Sequence, residues 1–388
     1  MTLSPDSPEA TAPLPYGRQS VDDDDIAAVT AALSGDWLTT GPAVQRFEAD
    51  LAEWAGGVPT VAVTSGTAAL HVAYAAAGVG PGDEVVTTPM TFVATAATAC
   101  LLGAKVVFAD VTPDTANLDP SAVAAALSPR TRVVSAVDYA GHPAELDVLG
   151  AMATAHGALL LDDAAHSIGS TWRGVPVGAL ADLTTFSFYP TKNVTTAEGG
   201  AVAARDPQLL ARARSFRNHG LVREPDEQRT PDEGGWHQEV HELGLNYRLP
   251  DVLCALGSSQ LRRLGHFKRR RAAIVERYRE GLHDLDGVLL PTQRPEADPI
   301  WHLFALQVLE GRRRALYEHL RCRGIGAQVN FLPVHWHPVF ADMGYRRGSC
   351  PVAEEFYRRQ LSLPLWPDLR DDQVDRVIGE VRHFFGAD

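Results

Sequence analysis

Between residues 60 and 203, seven short apolar runs (61–64, 84–87, 105–108, 132–137, 158–161, 184–187 and 200–203) alternate with alanine-rich stretches compatible with helix. Most of these runs are apolar throughout rather than at every second position, so a sheet built from them must be covered on both faces. Strands of that kind, separated by helices, form a mostly parallel sheet, and the chain is expected to be an α/β protein. Groups that do chemistry in such a sheet collect beyond the carboxyl ends of the strands. The polar residues that directly follow each run are therefore the ones to examine.

At 388 residues, 45% hydrophobic and 21% charged, the chain has enough apolar material for a large core and more than one subdomain. The expected division is a flexible N-terminal tail over 1–20, a large α/β domain over 21–250 that includes two N-terminal helices, and a smaller α+β domain over 251–388. Residues 22–54 read as two helices around Trp37-Leu38-Thr39-Thr40-Gly41-Pro42, with Pro42 opening the second. The stretch 222–240, with Pro225, Pro231, Gly234 and Gly235, reads as a mobile loop. Leu261, Leu264, Phe267, Ile274, Val275, Tyr278 and Leu282 recur at helical spacing and predict a long amphipathic helix. Its outer face would carry the run Lys268-Arg269-Arg270-Arg271 into solvent. Further on, 301–309 and 327–331 read as strands and 372–385 as a closing helix.

A net charge of −13 opposes nucleic-acid binding. No apolar run approaches the length of a membrane-spanning helix, about 18 residues. Residues 1–15 lack the cationic start and apolar centre of a signal peptide. Cys100, Cys254, Cys322 and Cys350 are far apart and form no C-x-x-C pair, which argues against a disulfide framework or a zinc site and for a cytoplasmic chain. His335-Trp336-His337 has no carboxylate close by and is not expected to hold a metal.

Three clusters carry chemistry. Ser65-Gly66-Thr67 follows the first run and opens an alanine-rich helix, leaving free N–H groups that accept a phosphate or an ordinary Ser cap. Leu161-Asp162-Asp163-Ala164-Ala165-His166 ends an apolar run with two acids and a histidine, so that at least one carboxylate reaches the functional edge, to meet a cationic ligand or to cap a helix. Lys192 lies in a polar turn between Ser187 and Gly199-Gly200, where a lysine can attack a carbonyl and form a Schiff base. A phosphate site, an acid for a ring nitrogen and a carbonyl-seeking lysine are together what pyridoxal phosphate requires of a protein.

These clusters, with the 186–200 segment and Gly244-Leu245-Asn246-Tyr247-Arg248, resemble the DegT/StrS family of fold-type-I pyridoxal-phosphate sugar aminotransferases, from about residue 15 to the C-terminus. The resemblance implies Lys192 as the Schiff-base and proton-transfer lysine and Asp163 as partner of the pyridine nitrogen. It implies phosphate contacts from Gly66, Thr67 and Ser187, a ring-stacking role for Phe92, and His166 near the phenolic oxygen. Asn246 would reach the phosphate from a partner subunit, making a homodimer with shared sites. Tyr189, Arg248 and His335 are implied near the substrate, although Asn330 stands where relatives have His or Tyr. The implied reaction takes the amino group of L-glutamate to a ketosugar bound as its nucleotide, at carbon 4 of a UDP- or dTDP-linked 4-keto-6-deoxyhexose. Segments such as 37–42 and 350–364 look most like enzymes acting on UDP-4-keto-6-deoxy-N-acetylhexosamines. An aminocyclitol or other secondary-metabolite ketone, a dehydrating or cyclising enzyme on the same fold, and a noncatalytic regulator are the alternatives.

Overall fold

The computed structural model describes residues 13–387. The expected runs form a single seven-stranded sheet: β1 (Thr60–Val63), β2 (Glu84–Thr87), β3 (Lys105–Phe108), β4 (Thr131–Val137), β5 (Leu159–Asp163), β6 (Leu183–Ser187) and β7 (Gly200–Ala204). Their order across the sheet is β1-β7-β6-β5-β4-β2-β3. Neighbours from β3 to β6 pair in parallel, whereas β7 runs antiparallel to both β6 and β1. Every residue of β1, β2, β6 and β7 is buried, as strands covered on both faces must be. The register aligns Val63 with Gly200 and Gly200 with Ser187, and aligns Val137, Asp163 and Thr185. The carboxyl ends of β1, β4, β5 and β6 thus share one edge.

Small side chains set how closely the helices approach this sheet. Ala68, Ala69, Ala73 and Ala76 on α3 (Gly66–Ala76) and Ala96 and Ala99 on α4 (Ala94–Leu101) are buried in one core cluster with Val61, Val85 and Leu183. The other large-domain helices are α5 (Pro120–Ala126), α6 (Leu146–Ala155) and α7 (Pro207–Arg217). Ahead of the sheet stand α1 (Asp23–Leu33) and α2 (Pro42–Trp54). Asp22 and Asp25 form a reciprocal capping box on α1. No side chain of its own neighbourhood caps α2. Instead Asp251 accepts from the N–H groups of Gly41 at 2.8 Å and Ala43 at 3.0 Å.

Asp251 opens α8 (Asp251–Leu282), a helix of 32 residues that joins two cores. Its first half buries Cys254, Leu261 and Leu264 against Phe47, Leu51 and Phe188. The second half buries Ile274, Val275, Tyr278 and Leu282 against the small domain. The change of core therefore falls inside this helix rather than at residue 250. The small domain holds a three-stranded antiparallel sheet of β8 (Val288–Leu289), β9 (Phe304–Val308) and β10 (Gln360–Leu363), with α9 (Arg313–Cys322), α10 (Pro338–Asp342), α11 (Pro351–Arg359) and α12 (Asp371–Phe385) around it.

Four expectations change. Residues 1–12 of the supposed tail lie outside the described residues, but from Pro13 onward the segment is fastened: Leu14 is buried, and its backbone exchanges hydrogen bonds with Gly324 and Gly326. Of the basic run only Arg269 stands exposed in solvent. Lys268 donates to Asp298 Oδ2 at 2.7 Å and to the Gly169 carbonyl at 2.9 Å, Arg270 pairs with Asp371, and Arg271 is 1% exposed. Arg271 donates through Nη1 to the carbonyls of Trp301, His302 and Leu365, which offset part of the cost of burying the guanidinium, while its Nε lacks a partner among the described residues. Residues 327–331 form no strand, because only Gln328 bridges to Ser362 while Asn330 is tied to side chains. Within 222–240 the expected loop contains two short paired strands, Leu221–Val222 and Glu239–Val240. Among the described residues no helix is long and apolar enough to cross a membrane.

Candidate active site

The loop between β6 and β7 is closed by its own backbone. Phe188 donates to the Gly199 carbonyl at 2.8 Å, and Thr196 donates to the Phe188 carbonyl at 3.0 Å. Lys192 sits in the turn at its tip, its N–H bonded to Tyr189 O at 2.8 Å. Among the described residues the Lys192 ammonium has no hydrogen bond and no ion pair. Burial lowers its pKa from the usual lysine value to about 8, while the negative charge of Asp163 works in the opposite direction. At pH 7 about a tenth of this amine is then neutral and nucleophilic, far more than of an ordinary lysine.

Asp163 ends β5 one strand away, with 5% exposure. Its Oδ2 accepts from Thr95 Oγ1 on α4 at 2.7 Å, and its Oδ1 from the Ala165 N–H at 3.3 Å. Burial raises its pKa above the ordinary carboxyl range; the Thr95 hydroxyl, the Lys192 charge and the Ala165 N–H pull it back. Asp162 is fully buried and neither of its carboxyl oxygens has a partner. Its pKa is raised well above the ordinary range, first by burial and then by Asp138 and Asp163. Successive strand residues point to opposite faces, so only one of the two acids faces the same way as Thr95. Behind them, Asp138 accepts from Ala144 N–H at 2.7 Å and Ser167 Oγ at 2.6 Å, and burial lifts it to about 7.

Ser65 caps α3 by accepting from Ala68 N–H at 3.0 Å. The Gly66 and Thr67 N–H groups make no hydrogen bond among the described residues, and the Ser187 side chain lies against Gly66. A Cβ built on Gly66 would lie 2.7 Å from Ser187 Cβ and 2.8 Å from its Oγ. A Cβ on Gly200 would lie 2.4 Å from the Ser65 carbonyl oxygen. Both glycines are needed for this close approach of helix end and strand end, which forms an anion cradle.

A row of rings lies at the same edge. Phe92, 58% exposed, meets Phe331 at 6.1 Å and 65°. Phe331 stacks on His166 at 6.1 Å and 23°. Burial, and then Lys192, depress the His166 pKa well below the usual value. Lys192, Asp163, His166, Phe92 and the Gly66–Ser187 cradle are therefore gathered at the shared carboxyl edge.

Other expected residues stand apart. Tyr189 is 49% exposed. Asn246 is exposed as well, on the bridge it forms with Asn218. Arg248 donates to Asn218 Oδ1 at 2.7 Å and lines a cavity of about 1110 Å³ with Thr39, Thr40, Arg217 and Arg223; neither Lys192 nor Asp163 lines it. His335 is a correction. Its side chain is buried and bonds through Nε2 to the buried Glu354 at 2.9 Å, so it supports the core rather than facing a ligand. Asn330 accepts from Tyr16 Oη at 3.1 Å and from Tyr139 Oη at 2.5 Å, through its side-chain and backbone oxygens respectively. Thr95, Asp138, Ser167, Phe331 and His302 were not singled out from sequence. Asp138 directly follows the run 132–137 and so falls among the positions that the sheet pattern marks, Ser167 adjoins His166 and Phe331 adjoins Asn330, whereas no local pattern marks Thr95 or His302.

The chain matches the model of the DegT/DnrJ/EryC1/StrS aminotransferase family over residues 19–382. It is 40% identical over 382 residues to the spore coat polysaccharide biosynthesis protein SpsC of Bacillus subtilis, covering 97% of this chain and 98% of that one. Among solved structures it resembles DesV of S. venezuelae in complex with a ketimine intermediate, with a TM-score of 0.88, 35% identity, and coverage of 96% of this chain and 99% of that one. Helicobacter pylori PseC, an aminotransferase involved in the biosynthesis of pseudoaminic acid, matches with a TM-score of 0.89, 28% identity and the same coverage. The chain belongs to the DegT/DnrJ/EryC1/StrS family and is a fold-type-I, pyridoxal-phosphate-dependent aminotransferase.

Proposed function

We propose that this aminotransferase moves the amino group of L-glutamate to a nucleotide-linked ketosugar, at carbon 4 of a UDP- or dTDP-linked 4-keto-6-deoxyhexose. The observation that carries the reading is Lys192, a lysine that among the described residues has no hydrogen bond or ion pair and whose pKa burial lowers to about 8, across from the Asp163 carboxylate. The polysaccharide role of SpsC and the pseudoaminic-acid role of PseC support a sugar acceptor.

The residues present fit pyridoxal phosphate. The Gly66–Thr67 N–H groups and Ser187 hydroxyl suit the phosphate, Asp163 suits the ring nitrogen, and Phe92 and His166 suit the ring face and phenolic oxygen. When bound, the cofactor supplies an electron sink for the substrate's reacting carbon. Lys192 would be the residue that anchors the cofactor through its carbonyl, and its amine, freed from that bond, would serve as the base that moves the proton at the donor α-carbon. Asp163 keeps a proton on the ring nitrogen. Replacing Gly66 by Ala pushes a methyl against Ser187, and cofactor affinity is expected to fall about tenfold or more, the equivalent of one charge-assisted hydrogen bond. Titration of the cofactor-free variant checks this, with Gly80→Ala, which has open space at its Cβ, as the control.

Asn246 acts on the partner's site in a homodimer, and Arg248 supplies charge for the substrate. This is supported by the exposed apolar residues beside them, Trp236 at 84% and Leu243 at 91%, which a second copy would cover. Cys100, Cys254, Cys322 and Cys350 are all free thiols, which supports a cytoplasmic setting. The substrate reading is tested with ¹⁵N-glutamate and a panel of UDP- and dTDP-linked 4-keto-6-deoxyhexoses. The expected product carries ¹⁵N at carbon 4. Consumption of glutamate with label appearing only on a cyclitol ketone would reject the sugar.

A further inference from the structure

His166 is not held by hydrogen bonding. Among the described residues nothing bonds to its ring, its Nδ1 is buried without a partner, and only its backbone carbonyl is engaged, by Asn193 Nδ2 at 2.7 Å. Packing must therefore fix the plane of the imidazole. Phe331 lies 6.1 Å away, but the ring of His302 is much closer, at 4.3 Å and 31°. His302 is itself buried, and its Nδ1 also lacks a partner.

The backbone of His302 is anchored where the two domains meet. Its N–H donates to the Ala140 carbonyl at 2.7 Å and its carbonyl accepts from Arg271 Nη1 at 3.4 Å. A Cβ on Gly141, which has φ 93°, would come within 2.9 Å of the His302 nitrogen and 3.0 Å of the His166 carbonyl oxygen. Glycine at this point lets the segments bearing the two rings approach each other. The charged and titratable groups facing His302 are His166, Lys192 and, from α8, Arg271. All three disfavour a second positive charge, and burial acts in the same direction, so the stacked pair is neutral.

We propose that His302 is a positioning residue: its ring is the platform that fixes the His166 imidazole beside Lys192 and keeps water from the Lys192 nitrogen. The inference rests on the reading of Lys192 as the cofactor's covalent anchor. A stacking platform needs a ring but not the imidazole nitrogens, of which Nδ1 is buried without a partner among the described residues. The fold remains intact when the ring is exchanged for another of similar size.

The test uses the resting holoenzyme without substrates and follows the pH midpoint of its Lys192-dependent visible band. In His302→Ala, water beside the Lys192 nitrogen favours its protonated form, and the midpoint is expected to rise by about one pH unit. His302→Phe is expected to keep the wild-type midpoint. His302→Gln, polar but without a ring, should shift like alanine and serves where alanine does not fold. Equal midpoints in all variants, or a phenylalanine variant shifted as far as the glutamine one, overturn the inference while leaving the Lys192 reading intact. A wild-type protein lacking any band that depends on Lys192 would instead remove the underlying reading.

Discussion

Lys192→Ala is expected to lower turnover by roughly 10⁴-fold or more, because one residue supplies both the covalent hold on the cofactor and the proton transfer. The variant should still bind cofactor through the phosphate cradle, but without the visible band of the lysine adduct. In wild-type protein stripped of cofactor, the pH dependence of recapture follows from the amine. Burial lowers the Lys192 pKa to about 8, so the neutral, nucleophilic form falls as pH drops below that value. Recapture is then expected to slow about tenfold per pH unit well below the midpoint and to level off above it. A stopped-flow series of the visible band measures this, and a rate independent of pH between 6 and 8, roughly the range spanning the lowered value, would sink the assignment. The same variant tests the shared site. Mixed with Asn246→Ala under conditions that exchange subunits, the two inactive proteins should recover about a quarter of wild-type activity, because half the dimers are mixed and each has one complete site. No recovery would mean that Lys192 and Asn246 serve the same chain's site.

The central sheet was legible because most of its strands are buried on both faces and therefore rich in apolar residues, although β6 carries Thr184, Thr185 and Ser187. The same patterning drew attention to Asp163, which ends such a run, and to Lys192, in the loop that follows another. Periodicity alone misled where tertiary contacts decide the outcome. The run 268–271 has the composition of a solvated face, yet Arg271 finds three carbonyl acceptors in segments 30 to 94 residues away. His335 reads as a candidate ligand contact until Glu354, 19 residues on, is seen to bond it inside the core. Thr95 and His302 are ordinary residues of a helix and a strand approach, and become significant only because Asp163 and His166 lie against them. Adjacent acids in sequence also cannot be ranked by composition, whereas the two faces of β5 separate them.

That separation gives the second large effect. Asp163→Asn is expected to lower kcat by roughly 10²–10⁴-fold, because an amide cannot carry the negative charge that keeps a proton on the cofactor's ring nitrogen. Thr95→Val, which removes the 2.7 Å bond to Asp163 Oδ2, should cost about 1 kcal/mol, or some fivefold, by loosening the carboxylate. Asp162→Asn should stay within a few-fold of wild type, since among the described residues this buried carboxyl has no partner and burial pushes its pKa well up, toward the neutral form that an amide imitates. Stability is expected to move the opposite way at Asp163. Its pKa is raised on folding, so the folded protein binds more protons than the unfolded chain between the ordinary carboxyl value and the raised one, and stability falls as pH rises through that window. Without cofactor, Asp163→Asn removes that loss and should melt higher than wild type at neutral pH, the gap closing as the pH is taken below the ordinary carboxyl range. Steady-state kinetics alongside thermal melts of cofactor-free protein read both quantities. If Asp162→Asn proved as inactive as Asp163→Asn, or if Asp163→Asn melted lower than wild type at neutral pH, the division of roles between the two acids would be wrong.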